Sequence, residues 1–379
     1  MNNIKTLSLF SIILVYLFCS GCYHQSKAHI KDENNKILTP DTKIITPSYK
    51  DLFSRMELIN LETNPEFLIA NIDKATVLGD TIILFDRFQS KIGLFNSKGD
   101  FIHLIGNKGQ GPGEYITIYD FSFNPFKNII SLISPFGDLY NFKLNGEFIN
   151  KINLPVKHNY LACCWLNENS IVLWSAVEED ESGITLYDTN SQKILYEDWY
   201  NDRMIDMTNL NPFFKVENSV YFAAPFSFSI YEITNQKMVL SYIWDFKGKY
   251  IPPSYIDNVK SIADTSKKNQ KLIDDVDKGK IEFPFFNGAN TTFYYIALCK
   301  KIGDKESILN IFYNKISTKT ISFRNFNEGL SLKPLFMNDE FIIGIVSPDE
   351  YNLYLNLMGL NGLNEEFDNP VLVKYYFKK

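Results

Sequence analysis

A short piece of grammar recurs along this chain: a β-rich run, a polar turn, and a second β-rich run, spaced about 45 residues apart. Residues 91–96 (KIGLFN) and 100–105 (DFIHLI) flank the turn SKG, in which Gly99 is placed for the positive φ of a tight hairpin. A shift of 47 residues lays Leu139, Phe142, Gly146, Glu147 and Phe148 over Ile92, Phe95, Gly99, Asp100 and Phe101. Further on, YDTNSQKIL at 187–195 and YEITNQKMV at 231–239 align at an offset of 44, and YNKISTKTI at 313–321 follows 82 residues later. The excess in that last interval falls on residues 255–280. There Ile256, Val259, Ile262, Leu272 and Val276 are scattered among closely spaced charges, a helical text inserted into an array of strands.

A repeat of this length, each copy a small antiparallel meander, predicts an all-β fold: a β-propeller of four-stranded blades. Residues 51–379 accommodate six blades with one short helical insertion, and five or seven also fit the length. The run NPVLVKYYFKK at 369–379 is a late strand, and the segment from Met56 to Ala70 is its expected partner, so that both chain ends share one blade and no long edge stays open. The aromatic content of 15% supplies the bulky side chains that blades packed face to face require.

The N-terminus carries a separate message. MNNIK places Lys5 ahead of TLSLFSIILVYLF, an apolar run of the length and position of a secretory h-region and too short for an ordinary membrane span. Residues 1–21 are thus expected to be a signal peptide. Residues 23–50 are mostly polar, with two prolines, and are expected to form a flexible tether ahead of a fold starting near Asp51.

Several functions are disfavoured by what the chain contains. A formal charge of −6 gives no basic footprint for nucleic acid. Of the histidines, His24 and His29 lie in the tether, His103 in a strand and His158 in a connector, with no HExxH or CxxC pattern, so neither a metal nor another cofactor is expected. Adjacent Cys163 and Cys164 project to opposite faces of a strand and are poor partners for each other. The glycine-rich GNKGQGPGEY at 106–115 lacks the Lys-Ser/Thr pair and following helix of a phosphate loop; it reads as the corner where the chain leaves one blade for the next.

IILFDRFQSKIGLFNSKGDFIHLIGNKGQGPGEY at 82–115 resembles an NHL-type propeller repeat, and LFCSGC at 17–22 resembles a bacterial lipobox, with Cys19 where Leu is more usual. Together with the terminal strand and the fainter later repeats, these features resemble the six-bladed propeller lipoproteins of Bacteroidetes. The resemblance implies cleavage before Cys22, lipidation of its thiol and a monomeric propeller on the outer membrane. Tyr23 and the late first acidic residue, Asp32, favour the periplasmic leaflet. Several acyl chains at Cys22 would anchor firmly, since each buried CH₂ contributes roughly 0.8 kcal/mol.

Candidate ligand contacts are few. Asp86, Asp120, Glu147 and Asp188 end strands in the repeats; recurrence at such positions suits turn capping, while convergence on the channel would suit an enzyme of the lactonase, lyase or glycan-active kind. Asp86 and Arg87 are ligand contacts only if they point into the channel. Phe285, Phe286, Asn287 and Asn290, directly after the insertion, are candidates for a binding mouth if the insertion caps one face. The expectation is a lipid-anchored binding or scaffolding module for a protein, peptide or glycan; the alternative is an enzyme with a carboxylate-lined central pocket.

Overall fold

The apolar run Thr81–Asp86 (TIILFD) shows why the blades pack as they do. Its burial does not alternate: Ile82 and Leu84 pack in one core cluster, Ile83 and Phe85 in another. A strand buried on both faces must be apolar at successive positions, and each face meets a neighbouring blade. A computed structural model describes residues 36–155, 159–176, 182–200, 211–223, 226–303, 305–360 and 369–378, and in it this arrangement repeats around a six-bladed β-propeller.

Each blade is a four-stranded antiparallel sheet, its strands paired in the order innermost to outermost. Blade 1 is Lys74–Leu78, Thr81–Asp86, Lys91–Asn96 and Phe101–Leu104; blade 2 is Asp120–Asn124, Ile129–Ile133, Asp138–Lys143 and Phe148–Asn153. Blade 3 is Asn159–Trp165, Ser170–Ala176, Ser182–Asp188 and Lys193–Tyr200; blade 4 is Phe213–Val216, Ser219–Ala223, Ser229–Ile233 and Met238–Trp244. Blade 5 is Phe283–Ala289, Phe293–Ile302, Lys305–Asn314 and Thr320–Phe323. Blade 6 takes Lys333–Met337, Phe341–Ile345 and Val371–Phe377 from the C-terminal part of the chain and its outermost strand, Phe53–Asn60, from the N-terminal part.

The repeats aligned in the sequence are the outer hairpins of the blades. Phe95 pairs with Phe101 in blade 1 and Phe142 with Phe148 in blade 2, each after a register shift at the same place. Gly99 sits at φ +97°, and a Cβ there would lie 2.1 Å from the Asn60 carbonyl oxygen, so glycine is required twice over. The hydrophobic core is divided accordingly: among the described residues it falls into six clusters, one between each pair of successive blades.

The seam is in the blade that the terminal strand predicts. Phe53–Asn60 pairs antiparallel with Val371–Phe377, Met56 opposite Tyr375, so the partner begins three residues earlier than Met56 and ends at Asn60 rather than Ala70. The tether expectation needs a larger correction. Residues 36–50 are not free chain but a strap along the rims of blades 4, 5 and 6. Lys36–Leu38 adds a parallel fifth strand to blade 4, with Leu38 fully buried. The Ile45 N–H then donates to the Ser322 carbonyl of blade 5 at 2.8 Å, and Ser48 caps the short helix Tyr49–Leu52 that leads into blade 6. Mean polarity over 23–50 hid single apolar anchors whose partners are remote in sequence. Residues 1–35, with Cys22, lie outside the described residues.

The insertion is helical as expected and forms two helices, Pro253–Lys260 and Thr265–Asp277. Val259 and Leu272, both fully buried, pack into the cluster between blades 3 and 4. A further helix, Tyr351–Leu357, interrupts blade 6 between its second and third strands and has no counterpart in the sequence reading. The glycine-rich corner connects blade 1 to blade 2: Asn107–Lys108 pairs with Glu114–Tyr115, and Gly113 at φ +78° passes so close to Phe148 that a Cβ would lie 2.6 Å from the ring. No helix among the described residues is long and apolar enough to cross a membrane.

Candidate functional site: the central channel

The innermost strand of every blade is paired on one side only, so its other edge faces the propeller axis. Around that axis lies a cavity of about 450 Å³ lined by residues of all six innermost strands. A volume of this size suits a small molecule or the end of a chain, not a folded domain. Phe121, Phe123, Phe213, Phe214, Phe286 and Phe336 contribute the aromatic part of the wall, and Thr76, Ser122, Asn287 and Asn338 the uncharged polar part.

The two ends of the channel differ. Toward the start of the innermost strands, the Asn211 side-chain amide donates to the Asp73 carbonyl at 2.8 Å, tying the entry of blade 4 to that of blade 1 directly across the ring. Below this tie, the Lys74 ammonium of blade 1 donates to Asp120 Oδ1 and to the Phe121 carbonyl of blade 2, each at 2.7 Å. Asp120 Oδ2 in turn accepts from the Cys163 N–H of blade 3 at 2.8 Å. Burial works against the charge on Lys74, but the adjoining Asp120 carboxylate outweighs it and holds the Lys74 pKa above its ordinary value. At the other end the lining residues Pro125, Lys215, Glu217 and Asp339 are exposed and mark the mouth.

The cysteines of the wall are quiet. Cys163 packs in the cluster between blades 2 and 3, and Cys164 in that between blades 3 and 4, on opposite faces of their strand as expected. Both are free thiols, and burial pushes both pKa values up, away from the thiolate that a nucleophile needs.

The structure separates the candidate residues. Phe286 and Asn287 line the channel, but Phe285 packs into the core between blades 5 and 6. Asn290 caps the turn after the innermost strand of blade 5, its side-chain oxygen accepting from the N–H groups of Thr292 and Phe293 at 2.9 and 2.7 Å. These four residues therefore do not form a mouth beneath the helices. Asp86 and Arg87 do not reach the channel either. The fully buried Asp86 carboxylate accepts from the N–H groups of Ala70, Asn71 and Gln89, closing the turn at the end of its strand. The Arg87 guanidinium lies over the Tyr119 ring, 4.4 Å from its centroid.

The other carboxylates are engaged locally as well. Glu147 pairs with Lys143 on the surface at 2.8 Å, and Asp188 accepts from the Ser191 N–H at 2.6 Å, a backbone bond that lowers its pKa. Among the described residues no three His, Cys, Asp or Glu side chains converge in a way that could hold a metal. His103 bonds the Leu144 carbonyl at 2.9 Å, joining blades 1 and 2; His158 lies outside the described residues. The polar end of the channel escaped the sequence reading because Lys74 and Asn211 belong to no motif and meet their partners only when the ring closes.

A family model described as "Domain of unknown function (DUF4934)" matches residues 39–376, nearly the whole described chain. This chain belongs to the DUF4934 family. Solved structures share its fold, two of them from Bacteroides. A Bacteroides fragilis NCTC 9343 protein described as exported superposes with a TM-score of 0.72 at 19% identity, covering 91% of this chain and all of that one. A member of the DUF4221 family from Bacteroides vulgatus ATCC 8482 gives a TM-score of 0.55 at 12% identity, covering 86% of this chain and 97% of that one. At such identities the likeness concerns the fold. No curated protein matches this DUF4934 chain in sequence.

Proposed function

We propose that this DUF4934 protein is a lipid-anchored binding module of the cell envelope that takes its ligand in the central channel. The observation that carries the reading is the channel itself: about 450 Å³ with an aromatic wall, a polar end and an exposed mouth. The carboxylates that an enzyme of the lactonase, lyase or glycan-active kind would draw into such a channel are held in turns, in a surface pair or in a bridge between blades, which supports binding over chemistry. The ligand is a peptide, a glycan or an exposed end of a protein, bound by a single propeller. The resemblance of LFCSGC to a lipobox supports anchoring through Cys22, with the outer membrane and its periplasmic leaflet as the location; the exported description of the Bacteroides fragilis neighbour agrees with passage across the inner membrane.

Two experiments test this. Labelled palmitate should be incorporated by the native protein and not by Cys22→Ala, and protease applied to intact cells should leave the protein whole; digestion would move it to the cell surface. A thermal-shift screen of peptides and oligosaccharides should yield ligands whose effect is lost in Thr76→Trp, which fills the channel. Ligands insensitive to that substitution would place binding elsewhere.

A further inference from the structure

Among the described residues of the channel wall is a buried polar side chain with no hydrogen-bond partner. Asn287, on the innermost strand of blade 5, is only 4% exposed, and neither its amide oxygen nor its amide nitrogen has a hydrogen-bond partner. Folded proteins satisfy more than nine in ten of their buried polar groups, so an amide orphaned at both ends calls for a cause. Its surroundings give no local one. Gly288 beside it approaches the Met337 sulfur, and the preceding residue in the wall is Phe286. A leucine would fill such a place at lower cost. Asn290, three residues on, shows the contrast: it too is buried, but its side-chain oxygen accepts from two backbone N–H groups.

We propose that Asn287 reads an amide group of the channel ligand, donating through Nδ2 to its carbonyl and accepting through Oδ1 from its N–H. An amide side chain carries one donor and one acceptor side by side, and the group that satisfies both at once is another amide. Asn287 lines the cavity, and no hydrogen bond opposes a side-chain rotation that brings its amide to the lumen. The aromatic wall, with Phe213 and Phe286, receives the apolar body attached to that amide. Peptides and N-acetylated sugars both carry this chemistry. The proposal rests on the channel being the binding site, as argued under Proposed function.

The test uses calorimetric titration of the full mature chain with paired probes. The peptide arm is N-acetyl-phenylalanine methyl ester against O-acetyl-phenyllactic acid methyl ester, in which an ester replaces the one amide; the sugar arm is N,N′-diacetylchitobiose against cellobiose. In one arm the amide-bearing probe should bind at least tenfold more tightly than its counterpart, and Asn287→Leu should erase that preference without lowering the melting temperature. Which arm responds identifies the source of the amide. Equal binding of paired probes, a preference that survives Asn287→Leu, or no binding of any probe overturns the proposal. So does a lower melting temperature in Asn287→Leu, because it would mean that the amide already has a partner in the free protein. Ligands from the screen that are blocked by Thr76→Trp but indifferent to Asn287→Leu would sink this assignment and leave the channel reading standing.

Discussion

The joint between blades 2 and 3 and the joint between blades 5 and 6 solve the same packing problem in different ways. The first is pinned by hydrogen bonds. Asp120 accepts from the Cys163 N–H, Ser122 from the Trp165 N–H at 3.1 Å, and Ser131 from the Trp165 indole at 3.0 Å, while Asn124 donates to the Glu168 carbonyl at 3.0 Å. The second has the Asn310 amide on the Leu332 carbonyl at 3.1 Å, but its mass is aromatic. The Phe312 ring stacks on Tyr295 at 4.2 Å and approaches Phe53, Phe293, Phe323 and Phe377 within 6.3 Å. Phe53 and Phe377 come from opposite ends of the chain. Blades 2 and 3 are consecutive in sequence and need directional bonds mainly to set their angle. Blade 6 must also hold the two ends together, and large non-directional burial offsets that closure entropy, which grows only slowly with loop length.

Cutting the seam should have the largest effect. Removal of residues 369–379 takes away the strand to which both Phe341–Ile345 and Phe53–Asn60 are bonded, and the cooperative thermal transition followed by circular dichroism should disappear. A truncated chain that still melts cooperatively would show that the ring does not depend on its seam.

Phe312→Ala tests the aromatic joint alone. The side chain is fully buried, so the loss should be about 3–5 kcal/mol by urea denaturation. A loss below about 1 kcal/mol would mean that its neighbours collapse into the space and that shape at this joint matters little.

Asp120→Ala tests the polar joint and should cost about 3 kcal/mol, because it leaves the Lys74 ammonium without its counter-ion and the Cys163 N–H without an acceptor. Lys74→Met in the same chain should recover part of that loss; a double variant as unstable as the sum of the two single ones would contradict the coupling.

The smallest effect is expected away from both joints, on the helical insertion. Burial pushes the Asp275 carboxyl up, but Lys271 and Lys280, at 2.8 and 2.7 Å, outweigh it and lower its pKa. A carboxyl lowered in the fold contributes stability that is present above its unfolded value, about 4, and is lost as pH falls through the folded one. Asp275→Asn should therefore lower stability by about 1 kcal/mol at pH 7 and make no difference in strong acid. A gap that persists in acid would assign the effect to packing.

Much of the ring was legible because its blades repeat. The outer hairpins of blades 1 and 2 share a glycine and a pair of rings, Phe95 with Phe101 and Phe142 with Phe148, and repetition makes a weak local pattern visible. The strap was not legible: Lys36–Leu38 is a strand only because blade 4 offers an edge to it. The helix Tyr351–Leu357 was missed for a like reason, being seven residues long and held by Tyr354, whose hydroxyl meets that of Tyr375 at 2.7 Å. Of the candidate ligand residues, Phe286 and Asn287 reached the channel, whereas Phe285 and Asn290 did not; Phe285 falls at a register shift of its strand and Asn290 in the turn that follows, and no local pattern says which residues meet the axis.

The sequence by itself determined the repeat, its all-β character, the helical insertion and the blade in which the chain closes, because these follow from periodicity and turn chemistry within a few tens of residues. Only the tertiary structure decided what the channel is made of. Lys74 with Asp120, Asn211 with Asp73 and the unpartnered amide of Asn287 are set by which strand edges face the axis once six blades close into a ring, and that closure joins residues far apart in the chain.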